Sequence, residues 1–295
     1  VTGTNGKTTT TALLGKILSD YEASVFVVGN IGTPYTAAAL SMKEESVTVA
    51  EISSFQLETI QDFAPKVSAI LNITEDHLDR HHTMEEYIRV KESITKNQTE
   101  TDVCVLNHED ALLRAFGEQM TPRCIYFSSQ MELGDHRQSI FLRDMEDGQW
   151  IIWKDGDTET PVVGVRSLRI LGRHNYENAM AAVAMAASVG VPMESIRKSV
   201  CAFQAVAHRI EYVAEKSGVV YYNDSKGTNP DAAIKGIQAM DRPTYLIAGG
   251  YDKDSDYREW IRSFDGKVKS LILIGQTKEK IAQAAREEGF TKIVM

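Results

Sequence analysis

The chain opens on a glycine-rich turn that leads into a helical pattern: residues 1–8 read VTGTNGKT. Such a turn presents backbone N–H groups to phosphate, and a lysine at position 7 can reach the terminal phosphates of a nucleotide. The Thr8 hydroxyl suits Mg²⁺. The usual phosphate-loop pattern places another glycine where Val1 stands. The alternative is an ordinary strand-to-helix turn, but the order of glycines, lysine and hydroxyl favours a phosphate-binding loop.

Short apolar runs alternate with helical patterns after this loop. The runs that indicate buried strands are SVFVVG, VTVAEI, VSAILNI, DVCVLN and RCIYF, which begin at residues 24, 47, 67, 102 and 123. Helices are predicted over Thr8–Leu18, Met84–Lys96 and Asp110–Met120. This alternation predicts an α/β fold of the P-loop ATPase type, with a mostly parallel sheet and helices on both faces.

The sequence pattern changes after residue 138. Residues 139–165 contain hairpin signals and predict a small antiparallel excursion. A long helix is predicted from Asn175 to Gly190, with Pro192 as a stop signal, and the alanine- and methionine-rich run 179–187 is expected to be helix core. A second strand–helix series begins with VVYYND at Val219 and predicts a Rossmann-like α/β unit. We place the domain boundary in the loop at Ala205, which gives domains 1–205 and 206–295.

Composition narrows the functional classes. The chain has 295 residues, 43% of them hydrophobic and 25% charged, and a net charge of −9. A nucleic-acid partner is not expected, because phosphate backbones select basic surfaces. No apolar run approaches the roughly 20 residues of a membrane-spanning helix, so no membrane partner is expected either. The three cysteines are far apart, which fits a cytoplasmic location. We expect a monomer.

Two further motifs follow predicted strands, where ligands of open α/β sheets bind. Glu51 begins the string EISSFQ, and a carboxylate at this place suits Mg²⁺; taken alone, it is more often a solvated loop residue. Residues 72–79 read NITEDHLD and cluster carboxylates with His77, although an acidic helix cap is an equal alternative. His81 and His82 follow this loop, and both are expected to be exposed to solvent.

These motifs, in this order, resemble the Mur ligase family. Further matches are GRHNYEN at residues 172–178, HR at 208–209 and DSKGTNP at 224–230, and the strings GNIG at 29–32, SSFQLE at 53–58 and GGYDK at 249–253 agree. DSKGTNP resembles the branch of the family that adds D-glutamate. Gly227 stands where alanine is usual, and little consequence is expected from this difference.

The resemblance implies an ADP-forming ligase of the acid–amino-acid type with three small-molecule substrates, ATP, UDP-N-acetylmuramoyl-L-alanine and D-glutamate, and with Mg²⁺. It implies catalytic roles for Lys7, His77, Lys91 and Arg209. Nucleotide contacts are implied for Gly3, Thr4, Asn5, Gly6, Lys7, Thr8, Asn175, Asn178, Arg209 and Asp224. Metal contacts are implied for Thr8, Glu51, His77 and Lys91. Substrate contacts are implied for Asn30, Ser53, Gln56, Lys226, Thr228 and Lys253. Asn175 could instead simply cap its helix.

Lys91 is expected to be carbamylated. Tyr87 and Lys91 lie one turn apart on the predicted helix and share a face, so the helix can deliver the lysine to the metal site. A free ammonium beside Mg²⁺ would be repelled, whereas a carbamate supplies anionic oxygens. The alternative is a surface lysine beside Glu92.

Rival functions are another Mur-type ligase, a folylpolyglutamate synthetase-like ligase, and a P-loop phosphotransferase or GTPase-like switch. DSKGTNP argues against the first two, and the guanine-reading NKxD motif of GTPases does not occur in the sequence.

The ends of the chain carry a further expectation. Only Val1 and Thr2 precede Gly3, whereas a phosphate loop normally follows a buried strand of ~5 residues. We therefore expect most of this strand, and the uridine-binding domain that the resemblance implies before it, to lie outside the chain. At the other end TKIVM reads as a strand without a following helix. We expect residues 1–295 alone not to turn over these substrates.

Overall fold

Parallel strands dominate the first part of the computed structural model, which describes residues 1–251 and 255–295. The chain divides into two compact units, one of residues 1–170 and 174–204 and the other of residues 171–173 and 205–295. The strands of the first unit are β1 Val25–Gly29, β2 Val47–Glu51, β3 Val67–Ile70, β4 Val103–Asn107, β5 Arg123–Ser128, β6 Gln138–Met145, β7 Gly148–Asp155 and β8 Thr158–Gly164.

Residues 1 and 2 join the two sheets of the first unit. Strand β1 pairs with β2, and strands β3 to β8 pair in sequence order. The Val1 nitrogen donates to Ala50 O at 2.8 Å, and Thr2 N donates to Ala69 O at 2.9 Å. Residues 1 and 2 thus occupy the position between β2 and β3, from which the glycine-rich turn leaves the sheet. The predicted parallel sheet is confirmed.

The predicted antiparallel segment extends the sheet that starts at β3. Strand β6 runs parallel to β5, and β6, β7 and β8 then pair antiparallel. Strand β8 was not among the predicted strands. Its inner side chains Val162 and Val163 are buried, so it completes the apolar edge of the sheet.

The helices predicted over residues 8–18, 84–96 and 110–120 and from Asn175 are present, together with others that were not predicted. The helices of the first unit are α1 Lys7–Ser19, α2 Tyr35–Ala39, α3 Ser54–Leu57, α4 Leu78–His81, α5 Met84–Glu92, α6 Ala111–Gly117, α7 Arg173–Ser188 and α8 Met193–Ala202. Helix α5 ends earlier than predicted, because the chain tightens into a 3₁₀ turn at Ser93–Thr95. Asp110 caps α6 by accepting hydrogen bonds from Leu112 N and Leu113 N.

Helix α7 lies inside the first unit. Residues 179–186 are 0–4% exposed, as expected for helix core. Small side chains allow close packing around a fully enclosed helix. Pro192, read as a stop signal, is also the N-cap of α8, a helix that was not predicted. Proline suits this place because helix starts leave their first N–H groups without internal partners.

The second unit contains a parallel sheet and a separate hairpin. Its elements are β9 Glu211–Lys216, β10 Val219–Asn223, α9 Pro230–Gln238, β11 Thr244–Gly250, α10 Arg258–Arg262, β12 Val268–Gly275, α11 Lys278–Glu287 and β13 Ile293–Val294. Strands β11, β12 and β13 are parallel.

The run VVYYND was predicted to start the parallel series, and the structure places it differently. It forms β10, which pairs antiparallel with β9. Ser217 and Gly218 both have positive φ, 52° and 77°, which is the two-residue turn that matches the twist of a hairpin. This local turn joins β9 to β10, and the two strands form a two-stranded sheet of their own.

No helix within the described ranges has both the length and the apolar character needed to cross a bilayer.

Candidate functional site

The glycine-rich turn is held rigidly against the loop that follows β3. Thr4 N donates to Asn72 O at 2.9 Å, and Asn5 N donates to Asn72 Oδ1 at 2.8 Å. The Asn72 amide nitrogen donates back to Asn5 O at 3.1 Å. The Thr4 hydroxyl accepts from Thr74 N at 3.0 Å. The two loops at the carboxyl ends of adjacent strands therefore form one hydrogen-bonded unit.

Gly6 ends the turn and caps helix α1 in the left-handed conformation, with φ 86°. A β-carbon at this position would lie 2.3 Å from Oδ1 of Asn178. Asn178 is buried; it donates to Asn175 Oδ1 at 3.1 Å and accepts from the Thr10 hydroxyl at 3.3 Å. Helix α7 thus places its two asparagines beneath the glycine-rich turn. Asn175 lies inside α7 rather than at its cap.

The Gly6→Ala variant is expected to be destabilised by about 2–4 kcal/mol. A left-handed alanine costs about 1–2 kcal/mol of backbone strain. The new methyl group also displaces the buried Asn178 amide from its hydrogen-bond partners, which adds to the loss. Urea unfolding of the purified chain measures this loss. Gly156→Ala is the matched control, because Gly156 also has positive φ, 59°, and no described atom within 4 Å of its β-carbon position. Equal losses in the two variants would show that the Asn178 contact contributes nothing.

Lys7 curls back over the turn. Its Nζ donates to Gly3 O and to Thr4 O, both at 2.8 Å. Thr8 follows in the first turn of α1 and is half-buried. The turn, the lysine and the hydroxyl therefore share the end of α1 from which the backbone N–H groups point outward.

Lys91 reaches the same turn from helix α5, 88 residues further along the chain. Its side chain is only 1% exposed, and its Nζ donates to Gly3 O at 2.9 Å and lies 4.6 Å from the centre of the Tyr87 ring. Burial, together with the charge of Lys7, lowers the pKa of Lys91 to about 7, although Asp76 opposes this shift. At neutral pH a large share of this amine is therefore uncharged.

Tyr87 supports this arrangement one turn before Lys91. Its hydroxyl lies 3.1 Å from the Thr4 hydroxyl, and burial raises its pKa to about 12. Helix α5 therefore directs both side chains to the glycine-rich turn, and the alternative of a surface lysine is wrong.

Glu51 is a buried carboxylate at the carboxyl end of β2. It is 1% exposed, and its Oε1 accepts from the Asn30 amide at 2.8 Å. Its Oε2 is buried and has no hydrogen-bond partner among the described residues. A buried oxygen without a partner is costly, which makes it a fitting ligand for a cation.

His77 lies on the loop that follows β3. It adopts a left-handed conformation at the N-cap of α4, its side chain is about half exposed, and its Nε2 lies 3.6 Å from Asp76 Oδ2. Within the described part of the chain, no three His, Cys, Asp or Glu side chains cluster as a metal site.

The two predicted substrate contacts on the SSFQLE string are occupied with each other. Ser53 caps α3, and Gln56 completes the capping box: Ser53 N donates to Gln56 Oε1 at 2.9 Å, and Gln56 N donates to Ser53 Oγ at 3.3 Å. Ser53 is half-buried and Gln56 is exposed.

One prediction on this loop is wrong. His81 was expected to be exposed with His82, but it is 3% exposed while His82 is exposed. The spacing of a single short helix does not reveal which of two adjacent histidines faces the neighbouring helices. The signal that sequence reasoning missed is the serine of α3, which supplies a hydrogen-bond partner.

The second unit brings together three of its predicted residues. Arg209 Nη1 donates to Lys226 O at 3.2 Å, and Asp224 Oδ1 accepts from Ile210 N at 3.1 Å. Burial raises the pKa of Asp224, against the hydrogen bond from Ile210 and the charge of Arg209. Thr228 is exposed. Lys253 lies outside the described residues.

Two glycines flank the Asp224 carboxylate. A β-carbon on Gly227 or on Gly236 would lie 2.9 Å from Asp224 Oδ2. An alanine at position 227 would therefore require the carboxylate to move.

A phosphate-type turn at the carboxyl edge of a parallel sheet, followed by a second α/β unit, defines a P-loop nucleotide-binding class of protein. Comparison with protein families matches residues 1–186 to the Mur ligase middle domain and residues 208–295 to the Mur ligase glutamate ligase domain. The chain belongs to the Mur ligase family.

Two relatives are each named UDP-N-acetylmuramoylalanine–D-glutamate ligase. The chain is 57% identical to the one from Lachnoclostridium phytofermentans over 295 residues, covering 100% of this chain and 63% of that protein. It is 53% identical to the one from Lachnospira eligens over 293 residues, covering 99% of this chain and 64% of that protein. The chain therefore spans less than two thirds of these relatives.

Solved structures share the fold. MurF from Acinetobacter baumannii superposes with a TM-score of 0.74 at 24% identity, covering 99% of this chain and 65% of that one. MurF ligase from Thermotoga maritima, in complex with ADP, gives 0.73 at 19% identity, covering 100% of this chain and 69% of that one.

Proposed function

We propose that this chain carries the central and C-terminal parts of an ATP-dependent ligase that joins D-glutamate to UDP-N-acetylmuramoyl-L-alanine in peptidoglycan precursor synthesis. The observation that carries the proposal is the meeting of Lys7 and Lys91 at the Gly3 carbonyl. A simple nucleotide switch needs one lysine on its phosphate loop. A second, buried lysine from another helix, once carbamylated, fits an enzyme that holds an additional metal ion beside the phosphates.

The choice of substrates is supported by the relatives and by the string DSKGTNP. Two relatives above 50% identity bear the name of the D-glutamate ligase. Lys226 and Thr228 lie on this string, where both are exposed and available to an anionic amino acid. Lys253 is assigned to the same pocket on the resemblance alone.

The reaction needs activation of a poor acylating agent. The alanine carboxylate of the substrate attacks the γ-phosphorus of ATP, an O–P bond forms, and the bond to ADP breaks. The amine of D-glutamate then attacks the carbonyl carbon of the acyl phosphate; the C–O bond breaks, phosphate leaves, and the nitrogen loses a proton. Because anions meet at each step, catalysis rests on positioning and charge neutralisation.

Residues of the chain are assigned to these tasks. The backbone N–H groups of residues 3–6 and the Lys7 ammonium hold the β- and γ-phosphates, and the Asn175–Asn178 pair shapes the turn from below and adjoins the nucleotide. Arg209 neutralises the γ-phosphate and Asp224 binds the ribose. Asn30, Ser53 and Gln56 bind the muramoyl substrate.

Two metal positions are proposed. Mg²⁺ supplies charge neutralisation for the phosphate oxygens. Thr8 and Glu51 would hold one ion, which fits the buried oxygen of Glu51 that lacks a partner. His77 and a carbamylated Lys91 would hold the other.

The test is phosphate release by a chimera, in which residues 1–295 replace the matching part of the Lachnoclostridium phytofermentans relative. We expect ATP hydrolysis to require UDP-N-acetylmuramoyl-L-alanine and D-glutamate together. Lysine, diaminopimelate and D-alanyl-D-alanine are offered in place of D-glutamate. Hydrolysis that is independent of both substrates would mark a switch or phosphotransferase, and preference for another amine would mark a different ligase.

The Glu51→Gln variant is expected to weaken the dependence of nucleotide binding on Mg²⁺, because an amide is a weaker cation ligand than a carboxylate. Calorimetric titration with ATP, with and without Mg²⁺, measures this dependence. Glu45→Gln is the control, since Glu45 is exposed in the turn before the same strand. If Mg²⁺ strengthens ATP binding equally in both variants, Glu51 is not a metal ligand.

A further inference from the structure

His81 is enclosed by three helices of the first unit. Its Nε2 lies 3.0 Å from the Ser54 hydroxyl, and its Nδ1 lies 3.5 Å from Glu58 Oε1. Its ring lies between Phe55, at a centroid distance of 5.7 Å, and Tyr87, at 5.2 Å. The side chain is 3% exposed, although it stands on a four-residue helix at the surface.

The order serine, histidine, carboxylate does not make a nucleophile here. Ser54 is 4% exposed and lies in the first turn of α3, under the ring of His81. A nucleophile must be reachable by its substrate. The Glu58 carboxylate is also engaged elsewhere, because Arg80 donates to both of its oxygens, at 3.0 and 2.6 Å.

The hydrogen-bonding pattern indicates that His81 has a structural role. Burial, together with the charges of Lys91, His77 and Arg80, lowers the pKa of His81 against the pull of Glu58. The neutral ring carries one proton, and the neighbouring carboxylate favours Nδ1 as its site. Nε2 then accepts the hydrogen bond from Ser54. Burying a polar ring costs free energy unless it is paired, so the pairing defines a single arrangement of the helices.

Each of the three helices carries a different part of the proposed site. Helix α3 is capped by Ser53 and contains Gln56, the two proposed contacts to the muramoyl substrate. Helix α4 begins at His77. Helix α5 carries Lys91, which touches the phosphate loop.

We propose that His81 is a positioning residue that fixes the substrate-binding helix α3 against helices α4 and α5. The muramoyl substrate is thereby aligned with the phosphate loop, although His81 itself contacts none of the substrates. This inference rests on the proposed function, since it assigns a substrate to Ser53 and Gln56.

The test compares two substitutions at position 81 in the chimera. His81→Phe keeps a flat ring between Phe55 and Tyr87 but removes both nitrogens. It is expected to raise KM for UDP-N-acetylmuramoyl-L-alanine about ten-fold, the factor that corresponds to the loss of one buried hydrogen bond. KM for ATP is expected to stay unchanged. His81→Gln offers an oxygen to Ser54 and is expected to restore the KM of the muramoyl substrate.

Ser54→Ala removes the same hydrogen bond from the other side and should give the same rise in KM, without adding to that of His81→Phe in the double variant. His82→Asn is the control, since His82 is exposed and has φ 68°, which asparagine tolerates. Thermal unfolding verifies that each variant is folded.

The outcomes separate this inference from the proposed function. An unsubstituted chimera that forms no product with D-glutamate contradicts the proposed function itself. An active chimera in which His81→Phe lowers only the stability or kcat, with the KM of the muramoyl substrate unchanged, overturns the positioning role. Failure of His81→Gln to restore KM also overturns it.

Discussion

Replacing Lys7 with alanine is expected to lower turnover of the chimera by about a hundredfold to a thousandfold, the usual loss when one preorganised charge is removed from a transition state. Lys7 Nζ lies against the carbonyls of Gly3 and Thr4, 2.8 Å from each. Two carbonyl oxygens hold the ammonium at the mouth of the turn, beside the N–H groups at the start of α1. Negative charge that develops on the phosphates would therefore meet a fixed cation.

The fold is expected to survive this change, because Lys7 is only half-buried and the Gly3 carbonyl keeps its hydrogen bond from Lys91. The measurements are kcat with saturating substrates, ATP affinity by calorimetry, and thermal unfolding. Lys16→Ala is the matched control on the same helix, where Lys16 forms a partly exposed ion pair with Asp20. Activity of Lys7→Ala close to that of Lys16→Ala would exclude Lys7 from phosphate binding.

Lys91→Ala is expected to lower turnover by about a hundredfold or more, and short carboxylates such as acetate are expected to restore part of it. The physical reason is the proposed carbamate. The neutral amine attacks the carbon of CO₂, an N–C bond forms, one electron pair of a C=O bond moves to oxygen, and a proton is released. A carbamate keeps one N–H, which can continue to donate to Gly3.

The environment of Lys91 favours this reaction. The pKa of about 7 leaves the amine increasingly neutral as pH rises from 6 to 8, so carbamate formation is expected to increase over this range. The nearby charge of Lys7 stabilises an anion at this place. A ¹³C NMR spectrum of the chimera with ¹³C-labelled CO₂ should therefore show a carbamate signal that is absent from the Lys91→Ala variant.

Two further variants separate the role of the carbamate from the effects of charge and volume at this helix. Lys91→Arg keeps the positive charge and fills the space but cannot form the carbamate, so it should be inactive and should not respond to acetate. Lys96→Ala is the control, since Lys96 is exposed just beyond α5. Full activity of Lys91→Ala without added carboxylate would show that the carbamate has no role.

Local signals account for most of the fold. The apolar runs that start at residues 24, 47, 67, 102 and 123 all form strands, because a short run of consecutive apolar side chains is typical of a strand covered on both faces. Helix α1 was predicted to within one residue at each end, since a glycine turn and a lysine define where it begins. The hairpin of β9 and β10 is also encoded locally, in the two-residue turn Ser217 and Gly218.

The sequence by itself therefore determined the phosphate turn, the alternation of strands and helices, and the shared face of Tyr87 and Lys91, because each depends on neighbours a few residues apart. Only the tertiary structure decided that Lys91 donates to Gly3, that one oxygen of Glu51 is buried without a described partner, and that His81 is enclosed while His82 is not. Helical spacing defines a face, but burial and pKa depend on which distant elements cover that face.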